Sequence, residues 1–230
     1  MQPHAVIFGV TIAEPVTTLT DYLLAAICVA FAVRLWMNCG GYRSRRLWAI
    51  ALFCTGLGAF LGGTSHGFAP YLDALARTVI WKSTVYTIGA SAFLALCGTV
   101  AGTRLSRRWR SGLNVYNGIA FAVYVVVMSI ESDFRYVILY YVPALLVVAS
   151  LQAHAYAGYR AKSAPWLIAG VASSFVAAAI QQSGIELHPH FNHNDLYHVV
   201  QAVALWFLYR GARELEDALP ERGAMHPASG

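Results

Sequence analysis

Apolar runs long enough to cross about 30 Å of hydrocarbon recur roughly once per 30 residues along this sequence, with no long polar tract between them. A bilayer interior offers no water to unpaired amides, so such a chain folds as helices that satisfy their own backbones. The runs predict seven transmembrane helices at about Thr17 to Trp36, Leu47 to Ser65, Leu72 to Val100, Leu113 to Ile130, Tyr136 to Tyr156, Trp166 to Gln182 and Asn194 to Arg210. With 58% hydrophobic and 12% charged residues, the expected fold class is an all-α integral membrane protein. Its single domain is a seven-helix bundle over residues 1–213, followed by a short polar cytoplasmic tail, 214–230.

Arg and Lys collect in alternate connections. Arg43, Arg45 and Arg46 follow the first helix; Arg104, Arg107, Arg108 and Arg110 the third; Arg160 and Lys162 the fifth; Arg210, Arg213 and Arg222 lie at or after the seventh. Short basic loops stay on the cytoplasmic side, which predicts the amino terminus outside and the carboxyl terminus inside. Topology thus accounts for the formal charge of +5, and nucleic acid is not needed as a partner. No Lys or Arg precedes Arg34, so the first helix lacks the basic lead of a cleaved signal and is expected to be retained. The four cysteines form no CxxC pair, which favours neither a disulfide framework nor a thiolate metal site. The Ala- and Arg-rich composition with short loops suggests a bacterial plasma membrane.

Histidine is distributed unevenly. The segment His188 to His198 holds four of the chain's eight, and the predicted topology puts His66, His188, His190, His193 and His198 at the outer level. Imidazole ligates metals and titrates near neutral pH, so this cluster marks a candidate metal or proton site. His66 closes the Gly-rich run Gly56 to His66, with Ser65 beside it. On the last helix, Asn192 and Asp195 read as a capping box, and Asp195 and His198 share a face at i,i+3. His193 and His198 diverge by about 140° on an ideal helix, so they converge only if His193 lies in an irregular entry. His188 and His190 flank a proline and are expected to be solvated.

The first helix is entered through Glu14, Thr17, Thr18 and Asp21, which recur at helical spacing. Capping explains most of them, but Asp21 lies about one turn inside, where a carboxylate faces a partner or a cavity. Asp73 and Arg77 are i,i+4 neighbours on the third helix. Lys82, nine residues beyond Asp73, is expected about 13 Å deeper, with Asp21 or Asp195 as partner. Tyr136, Tyr140 and Tyr141 read as an interfacial aromatic belt and Pro143 as a kink.

The acidic entry Ala13 to Asp21, the run Gly58 to His66 and the segment Asn194 to Val200 resemble the CREST superfamily of seven-helix membrane proteins, which includes the alkaline ceramidases. The resemblance implies a zinc ion held by one histidine of the second helix and two of the last, with Ser and Asp assisting amide or ester hydrolysis. Residue by residue, His66 and His198 become ligands, with His193 one place out of register because Asn194 occupies the motif's first position. The serine position falls on Gly62, with Ser65 adjacent to His66 as the substitute, and the third-helix aspartate position falls on Arg77. The chain therefore reads as a divergent member.

Two functions follow. One is a zinc-dependent hydrolase of a lipid amide or ester, with His66, His193 and His198 on the metal, Asp195 or Asp73 as base, and Ser65 or Lys82 stabilising the oxyanion. The other is a non-enzymatic membrane sensor, receptor or complex subunit, in which Arg77, Lys82, Asp21 and Asp195 form a buried charge network. A membrane lipid is the expected substrate or ligand, and homo-oligomers or a membrane complex are the open partner classes.

Overall fold

A computed structural model describes residues 4–185, 187–188 and 191–218. All seven expected helices are present: α1 (Pro15–Met37), α2 (Arg43–Gly67), α3 (Ala74–Gly102), α4 (Arg107–Ile130), α5 (Phe134–Tyr159), α6 (Ala164–Ser183) and α7 (His193–Arg213). The first six are long and apolar enough to cross a membrane. α7 carries His193, Asn194, Asp195 and His198 in its first turns and is polar there. Large apolar side chains stay exposed around the bundle, among them Leu19, Phe53, Val79, Ile119, Leu139, Val176 and Val203. A surface of that kind suits hydrocarbon better than water.

Consecutive helices run antiparallel, as cross-contacts show. A Cβ on Gly98, near the end of α3, would stand 2.7 Å from Trp48 at the start of α2. Tyr124 of α4 donates to Val85 O of α3 at 2.6 Å, and Ser163, before α6, donates to Gln152 Oε1 of α5 at 2.8 Å. α1 and α7 both begin at one end, where α2 finishes. Glycine sets the α1–α2 approach at that end: a Cβ on Gly63 would meet Asp21 Cβ at 2.7 Å, and one on Gly67 would meet Thr18 at 2.7 Å. The main core joins Leu24, Cys28 and Leu35 of α1 to Leu52 of α2, Leu96 of α3, Val148 of α5, Leu167 of α6 and Leu205 of α7.

Four features depart from expectation. The chain begins with an antiparallel hairpin, β1 (His4–Ile7) with β2 (Val10–Ala13), whose two-residue turn places Phe8 and Gly9 at φ 50° and 80°. Both central residues in that region make a mirror-image hairpin turn, which matches strand twist. Thr11 N donates to Tyr71 Oη at 2.8 Å, so the hairpin sits on the short helix α2′ (Ala69–Tyr71) between α2 and α3. α4 begins six residues early, because Ser106 caps it and its arginines are good helix formers. Finally, 214–218 belong to the bundle rather than to a free tail. Leu215 is buried, and the Asp217 carboxylate accepts from Arg43 N and Ser44 N at 2.7 and 2.8 Å, capping α2. The rest of the expected tail, 219–230, lies outside the described residues.

Candidate functional site

The first turns of α1 and α7 and the last turn of α2 meet in one polar layer. Thr17, Thr20 and Asp21 fall on one face of α1 by i,i+3 and i,i+4 spacing, and that face abuts α7. Thr17 Oγ1 donates to Asp195 Oδ1 at 2.9 Å. His198 Nε2 lies 3.1 Å from Asp21 Oδ1, both side chains being under a tenth exposed, and its Nδ1 lies 2.8 Å from Thr20 Oγ1. Both ring nitrogens of His198 are therefore engaged by α1.

Asp195 performs the expected capping: its Oδ2 accepts from Asn192 N at 2.8 Å, while Asn192 Oδ1 accepts from Asn194 N at 2.8 Å. With the other oxygen on Thr17, the carboxylate joins the entries of two helices. It is spent on structure rather than presented as a base.

Glu14 is the N-cap residue of α1 in left-handed conformation (φ 46°, ψ 58°), with no capping bond from its side chain. Its backbone oxygen takes the Thr18 hydroxyl at 2.9 Å, and its carboxylate turns to His66, with Oε2 3.4 Å from Nδ1. The hydrogen bond from His66 holds the Glu14 carboxyl below the ordinary glutamate value; burial opposes this, and the positive charges of His66 and His193 reinforce it. His66 is the open member of the cluster, with 40% of its side chain exposed against 13% for Glu14.

The remaining candidates are elsewhere or differently employed. His193 is the first residue of α7 rather than part of an irregular entry, so helical geometry separates it from His198. Its Nδ1 is buried without a hydrogen-bond partner among the described residues. Ser65 sits in the last turn of α2 and makes no hydrogen bond to these carboxylates or imidazoles among the described residues. Asp73 is the exposed N-cap of α3, accepting from Ala76 N at 2.7 Å. Arg77 does not pair with it; its guanidinium donates to Leu72 O and Ala69 O, both at 2.9 Å. Lys82 corrects the expectation of a partner at Asp21 or Asp195: its Nζ donates to Met128 O at 2.6 Å and to Glu131 O, at the carboxyl end of α4. A cation satisfies helix-end carbonyls and the negative end of the dipole there. Of the outer loop, His188 pairs by backbone with Phe191, and His190 lies outside the described residues.

Among the described residues no group of three His, Cys, Asp or Glu side chains is arranged to hold a metal ion. The reason is local: each central imidazole has its own carboxylate, and His198 presents no unengaged nitrogen toward His66. A three-histidine zinc site does not fit the side chains as they stand.

Sequence reading singled out His66, Asp195, His198 and Asp21 but missed Thr20 and the pairing of Glu14 with His66. The signal for Thr20 was available in its i,i+3 relation to Thr17, whose i,i+4 neighbour is Asp21. Positions that share a helix face with a buried carboxylate share its environment. Neither the curated proteins nor the solved structures contain a match to the chain. Over residues 16–217, which take in all seven helices but for Pro15 at the start of α1, it matches a family of unknown function, DUF6962, and it belongs to that family.

Proposed function

We propose that this chain is a non-enzymatic integral membrane protein, a sensor or a subunit of a membrane complex, whose working element is a protonation-responsive contact between α1 and α7. In this reading α7 also crosses the bilayer, with the histidine end outside and the arginine end in the cytoplasm, as the charge alternation favours.

The arrangement around His198 carries the reading. Thr20 has one hydroxyl proton and three acceptors in reach: Val16 O and Thr17 O, both at 3.0 Å, and His198 Nδ1 at 2.8 Å. When the proton goes to Nδ1, the imidazole is neutral and its Nε2–H meets Asp21. When the proton rotates to a backbone carbonyl, Nδ1 must itself donate, and the ring becomes an imidazolium facing the carboxylate. One hydroxyl rotation separates two fully bonded states that differ by one proton. Glu14, His66, His193, Asp195, Tyr22 and Tyr197 are further titratable groups at this end of α1, α2 and α7, and Glu14 with His66 stands at its exposed side.

The test is the imidazole nitrogen resonances of His198 in isotope-labelled protein, followed from about pH 4 to 9. A proton-responsive dyad titrates in the wild type and titrates differently in Asp21→Asn. A spectrum flat with pH rejects the reading. Stoichiometric bound metal that His66→Ala and His198→Ala both lose, or turnover of a lipid amide or ester, would restore the zinc-hydrolase expectation instead.

A further inference from the structure

At the end of the bundle opposite His198, where α3 and α5 finish and α4 and α6 begin, the helix ends surround an open cleft of about 1140 Å³. That exceeds the roughly 300–1,000 Å³ of most small-molecule sites, so a whole polar headgroup fits. Four cations line it from three segments: Arg104 after α3, Arg110 in the first turn of α4, and Arg160 and Lys162 between α5 and α6. Arg104, Arg160 and Lys162 are exposed, so a ligand can reach them. Ser106 and Ser163, the N-cap residues of α4 and α6, line the cleft too and bring the positive ends of two helix dipoles to it.

These cations are ordered but not neutralised. The Arg104 guanidinium lies 4.6 Å from the centre of the Tyr159 ring and that of Arg160 lies 4.8 Å from Tyr156. Such contacts hold an arginine over a ring face and leave its in-plane N–H groups free to donate. The three ion pairs among the described residues all lie elsewhere, so no carboxylate is at ion-pair distance from any of the four. Arg110 is half-buried, and its Nε is enclosed without a hydrogen-bond partner among the described residues. A ligand therefore meets Arg110 through its two terminal nitrogens. A cation drawn partly out of water with no counter-charge is costly, and an anion in the cleft offsets that cost. Glu214, Glu216 and Asp217 also line the cleft, from the segment after α7. Asp217 is already committed to Arg43 N and Ser44 N, which leaves four cations against two carboxylates.

We propose that this cleft binds a phosphate-bearing anion, with Arg110 as its most enclosed contact and Arg104, Arg160 and Lys162 around it. A guanidinium presents paired N–H donors that match two oxygens of one phosphate, and three of them from separate segments suit a tetrahedral group better than a planar carboxylate. The cleft lies where the helices end, at the level of lipid phosphates, and on the side that the charge alternation puts in the cytoplasm, where the membrane surface is anionic. A soluble phosphomonoester offers the same chemistry. The length of the bundle separates this site from the α1–α7 dyad, so it does not depend on how His198 behaves.

Native mass spectrometry of the purified full chain in non-ionic detergent, residues 219–230 included, tests it with phosphatidic acid, phosphatidylcholine and glycerol 3-phosphate titrated separately. One phosphatidic acid is expected to be retained ahead of phosphatidylcholine, whose choline opposes the cations. Glycerol 3-phosphate held as tightly as the lipid would assign the site to soluble phosphates, and retention of the lipid alone would assign it to a headgroup. Arg110→Gln should weaken binding about tenfold, the usual size for a lost charge-assisted hydrogen bond. Arg107→Gln removes the same charge from the same turn but not from the lining, and should change binding by no more than about twofold. Glu216→Gln takes a negative charge out of the lining and should tighten binding about threefold, a gain that a misfolded variant would not show. Equal losses in Arg110→Gln and Arg107→Gln, unchanged affinity in Arg110→Gln or Glu216→Gln, or no preference of the wild type for either phosphomonoester over phosphatidylcholine would overturn the proposal.

Discussion

The two flanks of this bundle solve the same problem in opposite ways. Where α1, α2, α6 and α7 meet, glycines bring backbones close and short polar side chains bond across the gap. Where α3, α4 and α5 meet, large rings fill the contact: Phe121, Tyr124 and Tyr140 form one aromatic group, with Gly89 of α3 making room for the Tyr124 ring and a cavity beside it. In hydrocarbon, apolar side chains gain little by leaving the lipid, so close contact and hydrogen bonds do most of the joining. The first flank uses both and is closed. The second relies on ring area and leaves a cavity.

The largest way to break the contrast is through the α1–α7 dyad. Asp21→Ala removes the acceptor from a buried imidazole and should cost about 3 kcal/mol in reversible unfolding. Asp21→Asn retains an acceptor and should cost less, and the double variant Asp21→Ala with His198→Leu should cost less than the two single changes added. Strict additivity would mean that the two residues do not act as a pair.

Next in size is steric. A Cβ on Gly211 of α7 would stand 2.5 Å from Leu167 Cγ and 2.9 Å from Leu167 N, and backbone cannot step aside. Gly211→Val should lose about 2 kcal/mol. On the looser flank, Gly118 of α4 has nothing within 4 Å of its would-be Cβ, and Gly118→Ala should be neutral or stabilise by about 0.5 kcal/mol. Similar losses at both positions would remove the distinction between the flanks. Smaller again is Lys82→Met, which frees Met128 O and Glu131 O and should cost about 1 kcal/mol, felt at the α3–α4 contact alone.

These residues also show where sequence stops informing. Hydropathy located all seven helices, and the Asn192–Asp195 capping box was legible because its partners are three residues apart. Local spacing encodes local bonds. The partner of Lys82 was misplaced because depth along α3 was read without the neighbouring helix: α4 ends beside it and offers carbonyls, which no pattern of charges reveals. The three tyrosines of α5 looked like one belt, yet Tyr140 and Tyr141 face different neighbours, because consecutive helical residues point about 100° apart. The hairpin was missed for another reason. Four-residue strands are too short to show alternation beside a strong apolar helix, and the turn's positive φ at Phe8 is not a signal that phenylalanine carries.

The finest test concerns the exposed edge of the closed flank, where Glu14 ties the end of the hairpin to α2 through His66. Because the folded structure depresses the Glu14 pKa, the bond contributes stability that is fully present above the free glutamate value of about 4.3 for as long as His66 is an imidazolium. The contribution is lost as pH falls through the lower folded value, since a protonated carboxyl no longer balances the imidazolium. Amide exchange in the hairpin reports on this directly. Protection of β1 and β2 should be constant from about pH 6 to 5 after correction for intrinsic rates, then fall on further acidification. Glu14→Gln should show the lower protection throughout and no pH dependence of its own. Tyr71→Phe, which removes the acceptor for Thr11 N, should loosen the hairpin equally at every pH, because that tether carries no charge. If acid leaves wild-type protection unchanged while Tyr71→Phe abolishes it, the hairpin is held by the phenol alone. The polar layer would then end at Asp21 and His198, with nothing charged coupling it to the outer surface.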